Sequence, residues 1–187
     1  MKKRYYWDSV SNEIGKALYT QFMKNMAICE IGFSGGHFLE WLYDKGYTKL
    51  YGIEIRKDQF LKTQKSFQEK NLKINLILGD VLDFNQKYDG VYSTGLIQCL
   101  DVQERERFLN HVSQMAKIAV FTVPEIKVDR NIGSDQLVAV DGCKEFATGN
   151  IPYELSQFYD EVRVGRINKS KTHIEDTFLY FICKKGE

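Results

Sequence analysis

Three acidic residues, each closing or following a short apolar run, are the best-placed chemical groups in this sequence. Glu30 sits in the run Met26 to Ile31, which leads into Gly32-Phe33-Ser34-Gly35-Gly36. Glu54 lies near the end of the run Lys49 to Ile55, and Asp80 follows Ile74 to Leu78 in the string Gly79-Asp80-Val81. Glycines let a backbone turn tightly and let a ligand approach it closely. A helix opening behind such a turn presents its N-terminal N–H groups to an anionic group. An acid at the strand end adds a negative pole beside that positive one, and the pair suits a zwitterionic amino-acid group better than a pyrophosphate. A carboxylate at Glu54 can accept both hydroxyls of a ribose. Taken singly, each feature has a plainer reading: a packing glycine, a surface acid, an ordinary Gly-Asp turn. Their recurrence after three successive strand-like runs is what carries the chemical reading.

The elements that would position these residues follow from periodicity. Met26 to Ile31 reads as a buried strand, and Phe38, Leu39, Leu42 and Tyr43 then repeat as one helix face that stops at Gly46. Lys49 to Ile55, Ile74 to Leu78, Tyr88 to Ser93 and Ile118 to Val123 read as further strands. Lys57 to Lys70 and Val102 to Met115 read as helices. Ahead of them, Val10, Ile14, Ala17, Leu18 and Phe22 recur at helical spacing. The last third is less regular: Ile126 to Pro152 has no clean period, a helix is expected from Tyr153 to Phe158, and Glu161 to Ile167 and Thr177 to Cys183 suggest a terminal antiparallel hairpin. Strand-helix alternation with short connections predicts a parallel sheet covered on both faces. The three acids then share the carboxyl edge of that sheet, where open α/β sheets bind ligands.

Bulk properties narrow the function classes. The chain of 187 residues fits one domain, and its formal net charge of +1 gives no electrostatic footprint for nucleic acid. Its basic clusters, Lys2-Lys3-Arg4, Lys169 to Lys171 and Lys184-Lys185, are short and read as solvated ends or loops. Cys29, Cys99, Cys143 and Cys183 are scattered, without the paired spacing of a metal or redox site, so no metal is expected. That usage fits a reducing compartment, and no apolar stretch has the length of a signal peptide or a membrane span. The cytoplasm is the expected location.

The ordered motifs resemble those of the class I, Rossmann-like S-adenosylmethionine-dependent methyltransferases, of small-molecule type. Glu30-Ile31-Gly32-Phe33-Ser34-Gly35-Gly36 is similar to the family's first motif, an acid followed by spaced glycines. Tyr51-Gly52-Ile53-Glu54-Ile55 is similar to its second-strand acid motif, and Gly79-Asp80-Val81-Leu82-Asp83 to its third. Tyr88 to Gln98 resembles the fourth, where such enzymes often read G-V-L-E-H-L. The likeness runs from Met26 to Val123 and is topological after it. It implies an α/β, three-layer α-β-α sandwich with a mostly parallel seven-stranded sheet and a reversed C-terminal strand. It further implies S-adenosylmethionine as cofactor and S-adenosylhomocysteine as product. By position, Glu30 and Gly32 would hold the methionine end, Glu54 the ribose, Ile55 and Val81 the adenine ring, and Asp80 the adenine amino group, with Gly36 also among the cofactor-binding residues. Ser93, Thr94 and Gly95 would supply backbone near the sulfonium. Two positions depart from the pattern. Ser34 replaces the middle glycine, with Gly35 beside it to restore flexibility, and Cys99 replaces the frequent histidine of the fourth motif.

Methyl transfer from a sulfonium asks mainly for alignment and exclusion of water. Where an acceptor needs a base, His111, Glu125 and Tyr153 are candidates, with His37 and His173 behind them, though none stands in a diagnostic motif. Trp7, in Tyr5-Tyr6-Trp7, either packs the N-terminal helix or closes over the cofactor. The expected organisation is one domain over residues 1–187, with a helical lid at 1–25 and an acceptor-pocket insertion at 126–160. The expected reaction is methylation of an oxygen or nitrogen of a small-molecule acceptor, without membrane or nucleic-acid partners. A protein or RNA methyltransferase, a nicotinamide-dependent oxidoreductase and a non-catalytic cofactor-binding protein are the alternatives. No Asn-Pro-Pro-aromatic string follows the fourth strand, so the resemblance lends no support to adenine-N6 or glutamine methylation.

Overall fold

The computed structural model describes residues 21–124, 151–168 and 177–186, and in them the apolar runs become strands separated by helices. In chain order these are β1 (Ala27–Ile31), α1 (His37–Asp44), β2 (Lys49–Glu54), α2 (Lys57–Glu69), β3 (Asn75–Leu78), β4 (Gly90–Thr94), α3 (Val102–Met115), β5 (Ile118–Pro124), α4 (Ile151–Ser156), β6 (Glu161–Asn168) and β7 (Thr177–Lys184). Single 3-10 turns follow β3 (Val81–Asp83) and β4 (Ile97–Cys99). The seven strands form one sheet in the order β3-β2-β1-β4-β5-β7-β6. Strands β1 to β5 are parallel, and β7 runs antiparallel between β5 and β6. This is the expected three-layer sandwich with its reversed C-terminal strand.

Side chains alternate across a strand, so register decides what each face carries. Glu30 lies opposite Gly52 on β2 and Tyr92 on β4, and Ile28 opposite Leu50 and Gly90. That face, with Ile28, Leu50, Tyr92, Val120 and Ile182, packs against Phe38, Leu39 and Leu42 of α1 and Phe60 and Phe67 of α2. Thr94, two residues along from Tyr92, and Glu54, four along from Leu50, project on the same side. The other face, with Cys29, Ile31, Ile53, Val91, Ala119 and Phe121, packs against Phe108, Leu109 and Val112 of α3 and Ile151 and Leu155 of α4.

Local signals set the helix ends. α1 closes in a Schellman motif: Tyr47 N–H bonds the Leu42 carbonyl at 3.1 Å, Gly46 N–H bonds Tyr43 at 2.9 Å, and Gly46 takes φ +86°. α3 opens on a full capping box. Asp101 accepts from Glu104 N–H at 2.8 Å, and Glu104 accepts from Asp101 N–H at 3.0 Å. Phe22, expected on a helix face, instead lies in irregular chain before β1 and buries its ring over Gly90. A Cβ at Gly90 would stand 2.2 Å from that ring, which explains a glycine at the first position of β4. The remainder of the expected lid, residues 1–20 with Trp7, lies outside the described residues, as do Glu125 and most of the expected insertion. No helix among the described residues is long and apolar enough to cross a membrane.

Candidate active site

The turn from β1 to α1 is built from left-handed residues. Gly32 has φ +74°, Ser34 +47° and Gly36 +66°. The strained conformation therefore falls on Ser34 itself, and Gly35 does not relieve it as expected. Three bonds hold Ser34 there: its N–H donates to Glu54 Oε2 at 2.8 Å, its carbonyl accepts from Thr63 Oγ1 at 2.6 Å, and Arg56 Nη2 donates to its Oγ at 3.2 Å. Gly36 is required twice over, by its φ and because an added Cβ would lie 2.6 Å from Phe67 Cζ and 2.7 Å from Thr63 Cγ2. Thr63 and Phe67 on α2 thus clamp the turn against the sheet edge. Sequence reading missed this clamp, although the spacing Phe60, Thr63, Phe67 already places Thr63 on the inward face of α2.

Behind the turn sit two buried carboxylates. Glu30 accepts from Tyr92 Oη at 2.7 Å. Burial pushes its carboxyl up to about 8, and the nearby Glu54 charge adds to the rise, while Tyr92, the Leu39 N–H in the first turn of α1 and the Thr94 hydroxyl oppose it. Glu30 is therefore largely protonated at neutral pH and gains from any cationic group brought beside it. Glu54 is held differently: its Oε2 accepts from Ser34 N–H at 2.8 Å and its Oε1 from Arg56 N–H at 2.9 Å. An ionised carboxylate offers about four acceptor positions, so both oxygens of Glu54 retain capacity for a vicinal diol.

The neighbouring edge supplies the rest. Asp80 caps the turn Val81–Asp83 by accepting from Leu82 N–H through Oδ1 at 3.0 Å. Ile55, 63% exposed, projects just past Glu54, and Val81 is buried just past Asp80. An exposed isoleucine beside two acids at a sheet edge is what a flat heteroaromatic ring would cover. Ser93 Oγ is committed to the Ile31 carbonyl at 2.9 Å, tying β4 to β1. Gly95 (φ +66°) donates its N–H to Thr122 at 3.0 Å and turns the chain into Ile97–Cys99. Gly32 lets the two loops pack closely, since a Cβ there would stand 3.3 Å from Leu96 Cδ2.

The three candidate bases scatter. His111 Nε2 lies 2.9 Å from the Phe84 carbonyl, late in α3 and away from the acids' strand ends. Tyr153 is 69% exposed on α4, and Glu125 is outside the described residues. Sequence reading also missed Arg105, buried on α3, which pairs through Nε with Glu154 at 2.6 Å and through Nη1 with the Leu100 carbonyl at 2.8 Å. That pair pins α4 to the segment following β4.

A sheet of this order, with a glycine turn after β1 and acids at the carboxyl ends of β1, β2 and β3, is the architecture of the class I, S-adenosylmethionine-dependent methyltransferases. Residues 28–118 match the family described as a methyltransferase domain, and the chain is an enzyme of that family's activity. A search of curated proteins finds no significant match. Among solved structures, the chain is similar to magnesium protoporphyrin IX methyltransferase (ChlM) from Synechocystis PCC 6803 with bound SAH, at TM-score 0.77 and 14% identity over 98% of this chain and 85% of that one. It is similar to the methyltransferase domain of bacterial-CtHen1-C, at TM-score 0.74 and 14% identity over 97% and 100% of the two chains. A third is an S-adenosylmethionine-dependent methyltransferase from Clostridium acetobutylicum ATCC 824, at TM-score 0.68 and 12% identity over 98% and 92%. At these identities the likeness is one of fold.

Proposed function

We propose that this enzyme methylates an oxygen or nitrogen atom of a small-molecule acceptor by in-line displacement. The observation that carries the cofactor assignment is the placement of Glu54: buried at the carboxyl end of β2, with Oε2 held by Ser34 N–H and Oε1 by Arg56, through its N–H and its Nε at 3.5 Å. In this reading Glu54 takes the ribose diol, Ile55 and Val81 flank the adenine, and Asp80 uses its free oxygen for the adenine amino group. Glu30, Gly32 and Gly36 frame the methionine end, where Glu30 gains its charge opposite the ammonium. The backbone of Ser93, Thr94 and Gly95 borders the sulfonium. S-adenosylmethionine, when bound, supplies the electrophilic methyl group. The protein's part is alignment and exclusion of water, which suits a site whose acids are all occupied in binding.

Support for a small acceptor comes from the near-neutral chain and from the fold likeness to an enzyme named for magnesium protoporphyrin IX. Calorimetric titration with S-adenosylmethionine, S-adenosylhomocysteine and NAD tests the cofactor assignment, and binding of NAD in preference to the other two would end it. Glu54→Ala is expected to weaken S-adenosylhomocysteine binding about tenfold or more, since a hydrogen bond to a charged group contributes roughly 1.5–3 kcal/mol. Labelled methyl recovered from a cell extract in the low-mass fraction supports the acceptor class; label confined to protein or RNA refutes it.

A further inference from the structure

Among the described residues, three buried side-chain atoms have no hydrogen-bond partner: Tyr88 Oη, Tyr159 Oη and Gln98 Oε1. The two tyrosines lie just before β4 and β6, at the amino edge of the sheet, embedded in the apolar cluster around α3. Gln98 is different. It stands at the carboxyl edge, in the 3-10 turn that leaves β4, and is only 6% exposed. Its carboxamide lies against Gly95, with Nε2 3.2 Å from where a Cβ would be. A glycine in left-handed conformation thus gives the amide access to the backbone bordering the reacting centre. A buried carbonyl oxygen left unpaired is costly, and at the carboxyl edge of the sheet, unlike the two tyrosines, it stands where a ligand can satisfy it.

Resting on the methyltransferase reading above, we infer that Gln98 is a specificity-determining residue of the acceptor site, where its carboxamide hydrogen-bonds a neutral hydroxyl or amide group of the acceptor. The chemistry selects the class. An uncharged amide offers both a donor and an acceptor but nothing to balance a buried charge, so a carboxylate, phosphate or ammonium would lose its hydration without recompense. A site built to hydrogen-bond a polar group discriminates against analogues lacking it, because its own atoms are then left bare.

The test uses Gln98→Met, which keeps the volume and removes both polar atoms. In the ligand-free protein it should raise the melting temperature by about 2–4 °C, because it removes an unpaired buried oxygen. A residue with a purely structural bond would lower it. Affinity for S-adenosylhomocysteine should stay within about twofold, and absence of that affinity in the unaltered protein would sink the methyltransferase reading instead. With S-adenosylhomocysteine bound, benzamide should bind at least about fivefold better than the isosteric benzoate, and Gln98→Met should erase that preference. A lowered melting temperature, no benzamide binding, or a preference that survives the substitution overturns the assignment.

Discussion

Glu30→Gln isolates the electrostatics of the cofactor edge. In the unfolded chain Glu30 ionises near 4.5, whereas burial raises it to about 8 in the folded protein. Below pH 4.5 both states are protonated and the carboxyl contributes its full stability. Above it the unfolded chain ionises freely while the folded protein keeps its proton, so stability falls until the folded group ionises near pH 8. At about 1.4 kcal/mol per unit, that interval corresponds to about 5 kcal/mol as an upper bound, and relaxation around the charge reduces it to the order of 3 kcal/mol. Gln is nearly isosteric, still accepts from Tyr92, and does not titrate. The measurement is the melting-temperature difference between Glu30→Gln and the unaltered protein from pH 5 to pH 9. It should grow in favour of Gln by roughly 6–12 °C and level off above pH 8. Saturating S-adenosylmethionine should flatten the rise, since a cationic group beside Glu30 stabilises its ionised form. A difference that is constant with pH would refute the reasoning, whatever its size.

Ser34→Gly removes left-handed strain from a residue with a Cβ while leaving its backbone bonds to Glu54 and Thr63 intact. Urea denaturation should show a gain of about 1 kcal/mol, and a loss would mean that the Arg56 bond outweighs the strain. Arg105→Met strips the partner from Glu154 and the donor from the Leu100 carbonyl, with an expected loss of about 3 kcal/mol. The double variant Arg105→Met with Glu154→Met should recover at least half of that, and equal losses in the two would remove the ion pair as the cause.

Much of the fold was legible because hydrophobic period and glycine stops are local signals. Val102–Met115 is the span the helical period predicts, because its inward residues Phe108, Leu109 and Val112 recur at that spacing. Errors fell where a tertiary contact overrides the local pattern. Strand β4 begins at Gly90 rather than Tyr88: Tyr88 N–H donates to the Met115 carbonyl at 2.9 Å, and the Asp89 side chain, not its backbone, accepts from Ala27 N–H at 2.7 Å. Helix α4 starts at Ile151, two residues before the expected Tyr153. Pro152 reads as a breaker, yet the first turn of a helix has free N–H groups and tolerates proline well. The 3-10 turns after β3 and β4 are too short to have any period, so the segment that aims Gln98 could not be read in advance.

The site divides along the same line. That Glu30, Glu54 and Asp80 share an edge follows from strand direction alone, and every parallel arrangement of β1, β2 and β3 delivers it. The environment of each acid does not follow. Glu30 meets Tyr92 only because β4 lies beside β1, on the far side from β2, in a register that places residue 92 opposite residue 30. A slip of one residue would turn Tyr92 to the other face and bring Val91 or Ser93 against the carboxyl. Glu54 likewise finds its donors at Ser34 and Arg56, from two different loops. A motif can therefore say which acid touches the ligand, but the charge that acid carries at neutral pH is a property of the assembled sheet. This is why pH-dependent stability of Glu30→Gln tests the burial of that carboxyl in the assembled sheet, with Tyr92 working against the rise.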